Sequence, residues 1–497
     1  MRRSGVLMHI TSLPGPWGVG TMGKQAYAFV RFLKAAGQQC WQILPLNPTG
    51  YGDSPYQSCS TYAGNPYLID LDLLVKEGLL KTEELEEITW CHMDTKADFG
   101  LLYNERFKVL RKAFARFRDE KGAFAKFRAK NDCWLPDFAL FMALKEKNQG
   151  KPWYEWDEDL KFRKPQAISR AFEELAENVQ FYCFVQFLFR KQWDALHRYA
   201  AKNGVSIIGD VPIYVPLDSV DVWSEPELFQ LDEELKPKVV AGCPPDAFSE
   251  DGQLWGNPIY DWDRMAEDGY RWWLRRLAAA GQWYDVVRVD HFRGLEAYWS
   301  IPYGDTTARG GCWVKGPGTA FVEAVKKELP QLQMIAEDLG YLTLEVLDLR
   351  DLSGYPGMKV LQFAFGSREP SDYLTHNYIR NTVCYTGTHD NMTMRQWFET
   401  SDKETVEYAA EYMNLTKKEG YVWGTIRAAM ASVSDLCVIP LQDYLNLGAE
   451  ARMNFPGTLS DANWTWRLEK GLLNKKLAKK IHGLTKLYGR VNTYINK

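Results

Sequence analysis

Val286-Val-Arg-Val-Asp-His-Phe292 is a run of strand-forming residues with two charges set into it. Side chains alternate across a strand, so Arg288 and Asp290 share one face while Val287, Val289 and His291 share the other. An apolar strand that carries charge toward one end suits a barrel, whose chemistry sits at the carboxyl ends of its strands. Seven further β-rich runs punctuate the chain: Gly5–His9, Cys40–Leu46, Val205–Val215, Met334–Glu337, Lys359–Phe365, Thr382–Tyr385 and Leu436–Pro440. Helical periodicity marks Lys24–Ala36, Phe181–Asn203, Arg264–Ala280, Ala320–Glu328, Thr343–Asp351 and Glu404–Met413. Strands alternating with helices argue for a parallel sheet covered by helices, and eight such units close into a barrel. The expected fold is α/β, a (β/α)8 TIM barrel with helical insertions between barrel strands, residues 1–497 forming one catalytic domain.

The spacing is uneven. Residues 47–180, between the second and third strands, exceed any ordinary connection. With Lys76–Glu87 and Phe107–Arg128 reading as helical, this stretch is expected to be an inserted, mainly helical subdomain. Residues 216–263 are expected to form a long loop region covering the substrate. No repeat or low-complexity tract is visible.

Bulk properties exclude several partners. A formal charge of −4 over 497 residues gives no electrostatic case for nucleic acid or an anionic membrane. Arg2 and Arg3 precede no continuous apolar segment, and no window of eighteen apolar residues follows, so neither a signal peptide nor a membrane span is expected. The nine cysteines are scattered and lack C-x-x-C pairs, which points to a reducing cytoplasm rather than a disulfide framework or zinc site. The 19 Trp, 26 Tyr and 24 Phe suit a core, but they also suit a surface that stacks on sugar rings. Composition alone favours the core, and position has to decide.

Three segments carry candidate chemistry. The Arg288 guanidinium should keep the Asp290 carboxylate ionised, because an opposite charge lowers its pKa. A fixed carboxylate is what a glycosidic nucleophile must be, although a structural ion pair fits this segment equally well. In Ile335-Ala-Glu-Asp-Leu-Gly340 a second acid, Glu337, ends a strand, and Gly340 permits the turn out. In an apolar, charge-crowded place Glu337 would have a raised pKa and could donate a proton; Asp338 or Thr343 could instead serve as a helix cap. In Tyr385-Thr-Gly-Thr-His-Asp-Asn-Met392, His389 and Asp390 follow a strand and suit the binding of a sugar's hydroxyls. Three acids at three strand ends, with Arg and His among them, are hard to ascribe to folding alone. There is no H-E-x-x-H, P-loop, strand-borne G-x-G-x-x-G or G-x-S-x-G.

At these residues the chain resembles the amylomaltases, or disproportionating enzymes, of the α-amylase clan. The likeness runs through His9-Ile-Thr-Ser-Leu-Pro-Gly-Pro16, Gly50-Tyr-Gly-Asp-Ser-Pro-Tyr-Gln57, Gly209-Asp-Val-Pro-Ile-Tyr214, Gly252-Gln-Leu-Trp-Gly-Asn-Pro258 and Arg452-Met-Asn-Phe-Pro-Gly457, among other motifs. The resemblance implies a 4-α-glucanotransferase acting on α-1,4-glucans, with Asp290 as nucleophile, Glu337 as acid/base and Asp390 as transition-state stabiliser. Tyr56, Asp210, Arg288 and His389 would surround the same sugar ring, and Asn454 would bind substrate. Asp246, Phe248, Gln253 and Trp255 would lie on a loop over the acceptor side, with Phe363 shaping the same region. No metal and no organic cofactor are implied. Where some relatives have Tyr-Phe in that loop this chain has Ala247-Phe248, so the acceptor wall is expected to be more open. Retention of configuration would place the Asp290 and Glu337 carboxyls about 5 Å apart. Two alternatives stand beside transfer: hydrolysis by the same acids, and a non-catalytic glucan-binding protein, which loss of an acid would favour.

Overall fold

The structure, a computed structural model, describes residues 2–245, 249–340 and 342–491. Its strands in chain order are β1 (Arg3–Leu7), β2 (Cys40–Gln42), β3 (Ser206–Val211), β4 (Val239–Cys243), β5 (Gln253–Pro258) and β6 (Val286–Val289), followed by β7 (Ala297–Pro302), β8 (Cys312–Lys315), β9 (Met334–Ala336), β10 (Gly357–Val360), β11 (Thr382–Tyr385) and β12 (Leu436–Pro440). Eight of them close a barrel in the order β1-β12-β11-β10-β9-β6-β3-β2. The pairs around the ring are parallel. The expected (β/α)8 barrel is therefore the fold.

Strands buried on both faces should be apolar throughout, and every residue of β6 and β12 is buried. Gly209, on β3, marks a close approach, since a β-carbon there would lie 2.1 Å from the Tyr284 ring. Outside the barrel, the helix Lys24–Ala35 buries Ala26, Phe29, Val30 and Leu33, the stripe of an amphipathic surface helix. Full burial of a side chain such as Phe29 contributes about 1.5–3 kcal/mol. The helix Lys475–Leu487 lies alongside, with Gln38 donating to Thr485 Oγ1 at 2.8 Å.

Several boundaries differ from the sequence expectation. Phe107–Arg128 is not one helix: Phe99–Arg116 ends where Phe117 turns extended at ψ 136°, and Ala123–Lys130 begins only after Gly122, whose φ is 64°. Arg264–Ala280 likewise divides into Trp262–Glu267 and Arg271–Gly281 at Gly269 and Tyr270, both with positive φ. The largest correction concerns residues 216–263, which are not a simple loop. They contribute β4 and β5 to an antiparallel sheet ordered β5-β4-β7-β8. Its other two strands follow β6, so the pairing is non-local and short glycine-bearing segments concealed it. Among the described residues, no helix is long and apolar enough to cross a membrane.

Candidate active site

The register of three neighbouring barrel strands sets the acids side by side. Asp210 pairs with Arg288 and Val211 with Val289 across β3 and β6, while Val289 pairs with Ala336 across β6 and β9. Asp290 and Glu337 are thus the next residues on adjacent strands. Backbone bonds continue past the strand ends: Asp290 N–H donates to Val211 O, and Glu337 N–H to Val289 O, both at 3.0 Å. Phe292 N–H then donates to Glu337 O at 2.9 Å. The acids therefore stand on backbone as rigid as the sheet.

Arg288 Nη1 lies 2.6 Å from Asp210 Oδ2 and 2.9 Å from Asp290 Oδ1. Arg288 and Asp210 are sealed, at 3% and 0% side-chain exposure, whereas Asp290 keeps 29%. Arg288 and Asp210 are thus buried, while the Asp290 carboxylate can be reached.

The expectation that Arg288 holds the Asp290 pKa low needs correction. Burial is the larger influence and pushes the Asp290 carboxyl well up; Arg288 pulls it down, and Asp210, Glu337 and Asp390 push it up again. Burial likewise raises Glu337 to about 6, against Arg288 and two backbone donors. Those donors are His291 N–H to Oε2 at 2.7 Å and Leu339 N–H to Oε1 at 3.0 Å. Gly340, at φ 88°, takes the chain out of this turn. Asp338 does not cap a helix. Its carboxylate pairs with Arg350 at 2.8 Å and accepts from Met358 N–H at 2.7 Å. With one guanidinium shared among neighbouring carboxylates, the adjacent acids Asp290 and Glu337 are set to retain a proton between them.

A second network meets the first at Asp210. Tyr56 Oη donates to Asp210 Oδ2 at 2.9 Å and lies 2.9 Å from His389 Nε2. The Tyr56 and His389 rings stack with centroids 5.3 Å apart. Burial lowers the His389 pKa, leaving the ring neutral. Because the single Tyr56 proton goes to Asp210, the ring proton of His389 belongs on Nε2. That nitrogen also lies 3.2 Å from Asp390 Oδ2. Asn454 Nδ2 donates to Asp390 Oδ1 at 2.6 Å, and Arg452 Nη2 to the Asp390 carbonyl at 3.1 Å. Asp390, 41% exposed, is held by both oxygens yet remains accessible.

The residues expected on the acceptor side are less tightly tied. Gln253 and Trp255 lie on β5 rather than on a free loop, with Trp255 Nε1 donating to Gln253 Oε1 at 3.1 Å. Trp255 meets the His291 ring edge-on at 4.9 Å. That contact exists because strand alternation stops at Val289: His291 has φ 50°. Phe363, in the 3-10 turn Leu361–Ala364 after β10, is 37% exposed and meets Tyr373 edge-on at 5.5 Å. Asp246 and Phe248 lie outside the described residues.

Sequence reasoning missed three supporting residues. Trp464, at φ 66°, has its ring 5.8 Å from Tyr56 and 6.0 Å from His389. Arg452 holds both Asp390 and, through Nε at 2.8 Å, the Asn454 carbonyl. His291 contributes an amide to Glu337 and a ring to Trp255. Arg452 lies in the Arg452–Gly457 motif and His291 in the Val286–Phe292 stretch, where alternation put it on the far face, but nothing local in the sequence marks Trp464. Among the described residues, no three His, Cys, Asp or Glu side chains are grouped to hold a metal ion.

A family model described as 4-alpha-glucanotransferase matches residues 8–474. A 4-alpha-glucanotransferase from Clostridium butyricum is 50% identical over 486 residues, covering 97% of this chain and 100% of the relative. A chloroplastic/amyloplastic 4-alpha-glucanotransferase from Solanum tuberosum is 39% identical over 503 residues, covering 99% and 87%. Among solved structures, an amylomaltase from Streptococcus agalactiae in complex with acarbose superposes with a TM-score of 0.97 at 42% identity, covering 99% of this chain and 100% of that one. An amylomaltase from Corynebacterium glutamicum shares the fold, with a TM-score of 0.78 at 22% identity and coverage of 98% and 75%.

Proposed function

The chain belongs to the 4-α-glucanotransferase family, and from that premise we propose that it moves α-1,4-glucan segments from donor to acceptor by a retaining double displacement. The observation that carries the mechanism is the junction of β6 and β9, where a reachable carboxylate held by Arg288 stands beside a buried carboxyl raised to about 6. In the first step Glu337 protonates the glycosidic oxygen while Asp290 attacks the anomeric carbon, and the donor's reducing-end portion leaves. The covalent glycosyl-enzyme then meets an acceptor. Glu337, now charged, takes the proton of the acceptor's 4-hydroxyl as the new bond forms and Asp290 is released.

Arg288 supports charge on Asp290, so the retained proton is most useful on Glu337. The two amides on Glu337 stabilise its carboxylate after protonation of the leaving group. Asp390, fixed from both sides by Asn454 and His389, provides a preoriented negative charge for the oxocarbenium-like transition state. Tyr56 and His389 offer a flat wall and polar edge to the same ring. Such a general acid contributes about 10²–10⁴-fold, so most of the acceleration falls to covalent and electrostatic catalysis.

What separates transfer from hydrolysis is occupancy of the acceptor side, for which Gln253, Trp255, Phe248, Asp246 and Phe363 are our candidates. A sugar bound there excludes water from the glycosyl-enzyme. In this reading residues 47–180 form a mainly helical subdomain inserted into the barrel domain, and 216–263 covers the acceptor through β4 and β5. All nine cysteines are free, which supports work in a reducing cytoplasm. The test is incubation of the pure protein with maltotriose. Transfer conserves the number of glycosidic bonds, so glucose and a ladder of longer glucans should form with nearly constant reducing ends. A steady rise in reducing ends without a ladder would instead identify a hydrolase.

A further inference from the structure

The inserted helices frame a second concavity that contains none of the catalytic acids. It has a volume of about 460 Å³ and is walled by residues of the helices Ala123–Lys130, Leu135–Lys147, Ala176–Lys202 and Arg271–Gly281. That volume falls within the range of small-molecule sites. Five aromatic rings line it: Tyr62, Phe127, Trp134, Phe189 and Trp283. Tyr62 and Trp134 lie nearly parallel, their planes 17° apart and centroids at 6.0 Å.

The platform is fixed in place. Trp134 Nε1 donates to Asn131 Oδ1 at 3.1 Å, and Asn131 Nδ2 donates to Phe127 O at 2.8 Å. Tyr62 follows Thr61, which donates its amide and hydroxyl to the two oxygens of the buried Asp221 at 2.9 and 2.6 Å. Both rings are only half-buried, and the Tyr62 hydroxyl has no hydrogen-bond partner among the described residues.

The lining also indicates the charge of the occupant. Lys130, Arg190 and Arg275 are balanced by Asp137, Asp221 and Glu225, and Arg275 and Glu225 pair at 2.8 Å. Balanced charge argues against an anion or a cation. Fixed rings with carboxylates and guanidinium groups around them suit a neutral polyhydroxylated chain, whose C–H faces stack on the rings while its hydroxyls take directed hydrogen bonds. We infer that this cleft is a second α-glucan-binding site, separate from the catalytic one. It rests on the glucan-handling reading above. Its use is to tether a long chain to the enzyme, raising the effective concentration of donor or acceptor ends; a trisaccharide too short to span both sites would gain nothing.

The test uses the full-length Asp290→Asn variant, which should bind glucans without turning them over, titrated calorimetrically with maltoheptaose. Two sites are expected. Adding Trp134→Ala should leave one, as should Ala278→Phe, which fills the cleft from an otherwise unchanged helix and decides the matter if Trp134→Ala fails to fold. In the active enzyme both substitutions should raise KM for amylose by roughly three- to tenfold, with kcat and maltotriose disproportionation unchanged. A single site in Asp290→Asn, or two sites that survive both substitutions, would overturn the inference. Two sites in a protein that fails to disproportionate maltotriose would support this cleft and sink the proposed function.

Discussion

On one side of the barrel mouth Tyr56, Asp210, Arg288, His389, Asp390 and Asn454 are tied to each other by contacts of 2.6–3.2 Å, with Arg288 and Asp210 sealed from solvent. On the other, Trp255 touches Gln253 and His291, and Phe363 leans on Tyr373 with more than a third of its surface exposed. The first side rests on parallel barrel strands, the second on β5, an edge strand of the antiparallel sheet, and on a single 3-10 turn. Bond cleavage needs groups held within fractions of an ångström, and the cross-linked side provides that. Choosing between a sugar and water as acceptor needs area and adaptability, which two half-exposed rings provide.

The largest effect should come from the rigid side. Asp290→Asn removes the group assigned as nucleophile while keeping its shape, and should lower transfer by roughly three orders of magnitude or more. The melting temperature should change little, since Arg288 keeps its bond to Asp210. Transfer near the unsubstituted rate would dissolve the distinction between the two sides.

The pH profile sharpens the comparison, because only the rigid side titrates as a coupled pair. With both Asp290 and Glu337 protonated there is no nucleophile; with both charged there is no acid. Activity therefore belongs to the singly protonated pair. As pH increases through about 6, where burial places the Glu337 carboxyl, kcat/KM should fall as the acid loses its proton, and on the acidic side it should fall as Asp290 takes one up. An optimum near about pH 4, with kcat/KM already falling steeply between about pH 5 and 6 as expected of carboxyls at their ordinary positions, would contradict the raised pair.

The smallest expected effect lies on the adaptable side. Trp255→Ala leaves the acids in place but removes a ring worth about 1 kcal/mol in stacking. The ratio of hydrolysis to transfer, measured as free reducing ends against lengthened glucans, should rise several-fold. An equal fall in both rates would assign Trp255 to the donor side or to the support of His291.

The same division governs what could be read from the sequence. The barrel was legible because its strands are continuous apolar runs such as Leu436–Pro440, each a local signal. Asp290, Glu337 and Asp390 were legible because each directly follows or nearly follows such a run. The antiparallel sheet was not, since β4 pairs across a long separation with β7, and β4 and β5 carry Gly242 and Gly256 where a strand signal would be sought. Trp464 was missed and His291 set on the wrong face for a related reason: both use positive φ, which places their rings where strand or helix periodicity does not point. The expected low Asp290 pKa failed because a motif names the partner charge but not the depth of burial, and here burial is the stronger influence.

The central claim, that Asp290 forms the glycosyl-enzyme and Glu337 handles the proton, is tested most directly by trapping. In Glu337→Gln, a maltosyl fluoride donor needs no acid for its leaving group, while the acceptor lacks its base, so the intermediate should accumulate. Intact-protein mass spectrometry should then find one added maltosyl group, and peptide mapping should place it on the fragment containing Asp290. Consumption of the fluoride with no covalent species, or an adduct on any other carboxylate, would contradict the account.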